Sequence, residues 1–193
     1  MKQILSLLLA ASISAFAGET KSLKIGEATP SFSLKNYDGK EYALEKIIKE
    51  HKLTVLMFIS TECPVSNAYN KRMTELYQSY AKKGVAFIGI NANKQETMND
   101  IAEHSSENGF KFPVLKDVGN VIADAYGAQV TPETYLIQPN GKLAYHGRID
   151  DSRNVSKVES CDLALALDAL LDGKEPPRTE ARAFGCTIKR VAE

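Results

Sequence analysis

The run "LTVLMFI", Leu53 to Ile59, is apolar and β-branched with almost no polar alternation. A segment of this length and character fits a strand buried on both faces rather than one wetted on one side. It ends in "STECPVS", where Cys63 stands directly before Pro64, and the hydrophobic period then changes. Val65, Tyr69, Met73, Leu76, Tyr77 and Tyr80 recur three or four apart, the stripe of a long helix closing at Lys82-Lys83-Gly84. Pro64 suits a first helical position, where a missing N–H costs nothing. A buried strand that feeds a helix through a cysteine-bearing loop requires a sheet covered on both sides.

The rest of the chain repeats this alternation. "FSLKNYDGKEYAL" holds two short segments around Asp38-Gly39, a hairpin signal, and "ALEKIIKE" reads as a short amphipathic helix. "VAFIGI" is a second buried strand, and Thr97 to Asn108 a helix closed by Gly109. "FPVLKD" (strand), "NVIADAYG" (helix) and "ETYLI" (strand) follow; "QPNG" turns the chain into an antiparallel partner, "KLAYHGRI". "DLALALDALLDG" is a closing helix, and "KEPPRTEARAFGCTIKR" reads as an irregular tail from about residue 174, with too few apolar residues to hold itself rigidly. The order predicts an α/β domain over residues 23–193: a mixed central sheet with helices on both faces and an N-terminal β-hairpin. The 193 residues are enough for one such core, and 24 basic against 24 acidic residues argue against nucleic acid or a membrane surface as partner.

Residues 1–17 read as a signal peptide. Lys2 precedes an apolar stretch, Ile4 to Ala11, and Ala15-Phe16-Ala17 supplies small residues for cleavage. The stretch is too short for a permanent anchor, so the expectation is a periplasmic or secreted protein with no membrane segment in its mature form. Cleavage removes one charge, Lys2, leaving 23 basic and 24 acidic residues. Cys63, Cys161 and Cys186 all survive processing and would meet an oxidising or redox-managed compartment. One disulfide plus one free thiol is the simplest arithmetic for three cysteines.

Cys63 is the first candidate nucleophile. Unpaired N–H groups at a helix N-terminus favour a thiolate, while neighbouring Glu62 opposes it. Thr131-Pro132, before "ETYLI", stands at a strand entrance where cis prolines occur. A cis bond there would turn the Thr131 backbone toward a neighbouring loop and offer it to an extended substrate. His51, His104 and His146 are isolated in sequence, so no metal site and no cofactor is expected.

"VLMFISTECPVS", "GVAFIGINAN", "FPVLKD", "AYGAQVTPETYLIQPNGKLAYHGRIDD", "DLALALDALLDGK" and "FGCTIK" together resemble the peroxiredoxin-like redoxins. These belong to the alkyl hydroperoxide reductase/thiol-specific antioxidant group of the thioredoxin superfamily, and the resemblance runs from about Ile25 to Lys189. It implies a thioredoxin-like fold, Cys63 as the reactive cysteine and Pro132 as the cis-proline opposite it. Ser60 matches the Thr/Ser that contacts the attacking sulfur in peroxiredoxins. Leu56 stands where that motif has proline, and the peroxiredoxin arginine has no match, leaving Arg72 and Arg148 as substitutes. Ser66 occupies the resolving position of the thioredoxin Cys-x-x-Cys.

The resemblance gives "FGCTIK" as a shared motif without stating a role for its cysteine. A thiolate needs a second thiol to turn over, and Cys186 is the candidate for it. The competing expectation is a static Cys161–Cys186 bridge pinning the tail. The functional expectation is thiol-disulfide exchange or peroxide reduction, with a thiol/disulfide protein or a peroxide as substrate and an external thiol as reductant. The alternative is a non-enzymatic module that holds a partner protein or a soft metal.

Overall fold

The computed structural model describes residues 22–192. The expected signal peptide lies outside the described residues. In chain order the elements are β1 (Ser33–Lys35), β2 (Glu41–Ala43), α1 (Leu44–Glu50), β3 (Leu53–Phe58), α2 (Pro64–Asn67), α3 (Asn70–Tyr80), β4 (Val85–Asn91) and α4 (Met98–Glu107). There follow β5 (Val114–Lys116), α5 (Val121–Tyr126), β6 (Val130–Thr131), β7 (Glu133–Ile137), β8 (Leu143–Gly147), α6 (Asp162–Leu171), β9 (Glu180–Ala181) and β10 (Cys186–Thr187).

Six strands form the main sheet in the order β5-β4-β3-β7-β8-β9. β3 lies at its centre, parallel to β4 and antiparallel to β7, and every one of its residues is buried. Its side chains alternate between two cores. Leu56 and Phe58 point into a layer with Ile47 of α1 and Ile122 and Tyr126 of α5. Val55 and Met57 point the other way, against Met73 of α3, Ile101 of α4, and Leu163 and Leu167 of α6. The sheet is therefore covered on both faces, as the unbroken apolar run of β3 requires. The Asp38-Gly39 hairpin forms, but β1 and β2 make a separate two-stranded sheet.

Two expectations change. The helix predicted after Cys63 is interrupted at Ala68-Tyr69, where Tyr69 N–H bonds the Ser66 carbonyl (2.9 Å), three residues back instead of four. This turn seats the fully buried Tyr69 ring beneath the Arg72 guanidinium, 3.6 Å from its centroid. The tail is also better held than its composition suggests. β9 pairs with β8, and β10 pairs with β6, so residues beyond 174 contribute one strand to the main sheet and one to a third, two-stranded sheet. Ile188 is buried in the α1/α5 core layer, and its N–H bonds the Gln129 carbonyl at 2.9 Å. Lys189 and Lys94 are joined by a 2.8 Å backbone bond, and Val191 N–H reaches the Asn120 side chain. Backbone and asparagine hydrogen bonds supply the anchoring that the tail's few apolar residues were expected to lack.

Candidate active site: a cysteine pair at a cis-proline

The loop after β3 turns away from the sheet at Ile59, and Cys63 becomes the N-cap residue of α2, with Pro64 in the first turn. α2 is only four residues long, so individual N–H groups matter more than a summed dipole. The Ser66 N–H donates to the Cys63 sulfur at 3.3 Å, and the thiol donates to the Thr131 carbonyl at 3.4 Å. The Thr131–Pro132 bond is cis. Cys63, Thr131 and Pro132, far apart in sequence, therefore meet at one point.

Cys186 is the third element of that point. In the β10–β6 pairing it stands opposite Thr131, and Thr187 opposite Val130. Gly185 passes so close to the Thr131 carbonyl that an added Cβ would lie 1.9 Å from the oxygen, and only glycine permits that approach. The pairing sets Cys186 opposite the residue whose carbonyl accepts from the Cys63 thiol, close enough for the two thiols to shift each other's ionisation. All three cysteines are free thiols: Cys63 buried, Cys186 half-buried, Cys161 exposed. Cys161 caps α6 beside Arg72 and Asp150 and is not bonded to Cys186. A Cys161–Cys186 staple is absent from this structure, and the tail is pinned by hydrogen bonds instead.

The two thiols are polarised in opposite directions. Burial pushes the Cys63 thiol up, but hydrogen bonding from the Cys186 thiol, the Ser66 N–H and the Thr131 side chain outweighs it and holds Cys63 below the ordinary thiol range. Of these three groups only the Ser66 N–H makes a hydrogen bond of full geometry to the sulfur, and the Thr131 hydroxyl makes none. Cys186 is pushed up, by burial and then by Cys63 itself. Glu62, expected to oppose the thiolate, turns outward to the Gln95 amide at 3.0 Å.

Ser60 takes a different place from the one its motif implies. Its hydroxyl donates to Glu96 at 2.6 Å and accepts from the backbone N–H groups of Glu62 and Cys63, at 3.2 and 2.9 Å. It shapes the loop that carries the sulfur, and its hydrogen bonds do not include the sulfur.

Glu96 was not anticipated from the sequence. It is 1% exposed and accepts from Ser60 Oγ, Thr61 N (2.7 Å), Thr61 Oγ1 (2.9 Å), Asn91 Nδ2 (2.5 Å) and Asn93 Nδ2 (2.7 Å). Burial raises its pKa, but these donors more than compensate and hold the carboxyl below the usual range. Asn93 in turn accepts the Lys189 N–H at 2.7 Å. One carboxylate thus joins the Cys63 loop, the end of β4 and the tail that carries Cys186. Three polar side chains, Asn91, Asn93 and Glu96, crowded behind a buried strand were the only local signal for it.

A second buried carboxylate, Glu133, follows the cis-proline. It accepts from the Gln129 and Val130 N–H groups (2.8 and 3.1 Å) and from Tyr135 (3.1 Å), and pairs with His146 at 2.6 Å. It fixes the turn that presents Thr131. Both arginines considered as peroxide-activating groups are bound elsewhere. Arg72 pairs with Asp150 (2.5 Å) and donates to the carbonyls of Ser152 and Arg153. Arg148 pairs with Asp162 at 2.6 Å. Among the described residues no cluster of three or more His, Cys, Asp or Glu side chains could hold a metal ion.

Residues 25–146 match the family model of the AhpC/TSA family. The chain belongs to the AhpC/TSA family. A thiol-disulfide oxidoreductase, ResA, from Halalkalibacterium halodurans is 30% identical over 128 residues, which cover 66% of this chain and 70% of that protein. A hypothetical protein from Sinorhizobium meliloti superposes with a TM-score of 0.83 at 32% identity, covering 90% of this chain and 98% of its own. An uncharacterized conserved protein from Geobacillus kaustophilus has the same TM-score and identity, with 89% and 94% covered. This AhpC/TSA protein is thus a redoxin with a thioredoxin-like fold, and its relatives make it an oxidoreductase.

Proposed function

We propose that this protein is an exported thiol-disulfide oxidoreductase whose working pair is Cys63 and Cys186. The observation that carries this reading is the strand pairing that sets Cys186 opposite Thr131, beside the sulfur of Cys63. The Cys63 thiolate attacks a disulfide sulfur of the substrate, forms a mixed disulfide and expels one substrate thiolate. Cys186, on losing its proton to that thiolate, attacks the Cys63 sulfur and expels the second substrate sulfur as a thiolate, which takes its proton from water. The products are a reduced substrate and a Cys63–Cys186 disulfide, and two equivalents of an external thiol return the pair to its dithiol form. Cys186 thus serves in place of the resolving cysteine that Ser66 replaces.

Disulfide exchange is preferred to peroxide reduction because Arg72 and Arg148, the arginines weighed for polarising a peroxide, are engaged with Asp150 and Asp162. The ResA relatives, named as thiol-disulfide oxidoreductases, support the same choice. Incubating the reduced protein with an oxidised dithiol and counting free thiols tests the reading. Wild type should lose two thiols quickly and Cys63→Ser should react at least about a hundredfold more slowly. Equal slow rates in both would refute it. Export is supported by the N-terminal pattern around Lys2 and Ala15-Phe16-Ala17. N-terminal sequencing of the protein from its native cells should begin at Gly18, and an intact Met1 would contradict export by this route.

A further inference from the structure

An extended peptide can bind a protein by adding a strand to an unpaired sheet edge, its main chain supplying the hydrogen bonds. Beside Cys63 the edge in question is Val130–Thr131, and the chain's own tail already fills it. The occupation is close: Gly185 runs under the Thr131 carbonyl with no room for a Cβ, and Ile188 N–H takes the Gln129 carbonyl. It is also anchored at both ends. Phe184 packs edge-on against Tyr69 at 6.3 Å between ring centroids, while beyond the strand Ile188 is buried and Lys189 is held by Asn93 and Lys94. Under this strand Cys63 is only 3% exposed.

We propose that residues 184–188 stand permanently in the place of a substrate backbone, so that the site accepts disulfides of low molecular mass and excludes disulfides carried within an extended polypeptide. This rests on the exchange reading above and names its substrate class. A small disulfide needs only a line of approach to the sulfur. A polypeptide would also need the Thr131 edge, and could have it only by unseating a strand fixed on both sides. The resolving cysteine and the obstruction are then the same segment, which explains why the second thiol is found in a tail strand instead of in α2.

The test uses the full chain carrying Cys161→Ser and Cys186→Ser, so that a mixed disulfide on Cys63 accumulates and is counted by intact mass. The probes are hydroxyethyl disulfide and an unstructured peptide whose single cysteine is joined to mercaptoethanol. Both rates are normalised to those with free N-acetylcysteine. The small probe should react at least about tenfold faster than the peptide after normalisation. Gly185→Ala and Ile188→Ala, each added to that background, should lower the ratio several-fold by loosening the strand. Equal normalised rates in the parent protein, or an unchanged ratio in variants shown by circular dichroism to be folded, would overturn the substrate-class claim while leaving exchange at Cys63 intact. Failure of Cys63 to react with either probe would overturn the exchange reading and this inference together.

Discussion

Cys63 is an acid whose charge is set by burial against the groups around its sulfur. The Ser66 N–H and the Cys186 thiol favour the thiolate, burial opposes it, and the balance falls below the ordinary thiol range. Following thiolate ultraviolet absorbance against pH in Cys161→Ser should therefore show a first ionisation below that of an ordinary cysteine thiol. That step should vanish in Cys63→Ser. In Cys186→Ala it should move upward, because the neighbour that does most to hold it down is gone. A first ionisation at or above the ordinary value, unmoved by Cys186→Ala, would mean that the tail does not tune the nucleophile. The sequence made Cys63 and Thr131-Pro132 legible because each is a short contiguous pattern with a local reason. Ser60 was misplaced because a motif states which residue is near a sulfur, and not which of two acceptors its hydroxyl will choose; a buried carboxylate is the stronger acceptor.

At the scale of elements, the site depends on loops that share one charge. Glu96 gathers five donors from the Cys63 loop and the β4 end, and Asn93 extends the network to the tail. Replacing Glu96 by Gln turns an acceptor-only group into one that must place two N–H donors among donors, at a cost of about 2 to 3 kcal/mol in stability. A Glu96→Gln variant as stable as wild type in urea would deny the carboxylate this role. The pH dependence has a definite sign. The folded pKa of Glu96 is depressed, so its contribution is fully present above the unfolded value, near 4.3, and is lost as pH falls through the lower folded value. Acid unfolding should lose that component in Glu96→Gln. Strand and helix positions were readable because β3 and β4 are unbroken apolar runs and α6 repeats Leu163, Ala166 and Leu167 at helical spacing. The break at Ala68-Tyr69 was not, since the apolar stripe continues through it and only the Ser66–Tyr69 bond marks the change.

For the whole molecule, a sheet covered on both faces presents the Cys63 loop and the cis-proline turn at one end, and the chain returns there with its last strand. Hydropathy could not reveal that return. "FGCTIK" has one residue, Ile188, that enters the core and one, Phe184, that packs against it, and its other attachments are main-chain and amide hydrogen bonds with partners some 60 to 100 residues away. The same return makes the second cysteine of the pair a product of tertiary structure instead of spacing. Whether Cys63 and Cys186 form the redox pair is read by non-reducing peptide mapping by mass spectrometry after mild oxidation. A Cys63–Cys186 crosslink that dissolves in a dithiol reductant is expected, with Cys161 left free. A Cys161–Cys186 crosslink, or a Cys63 that stays unpaired while Cys186 is oxidised, would contradict that pairing.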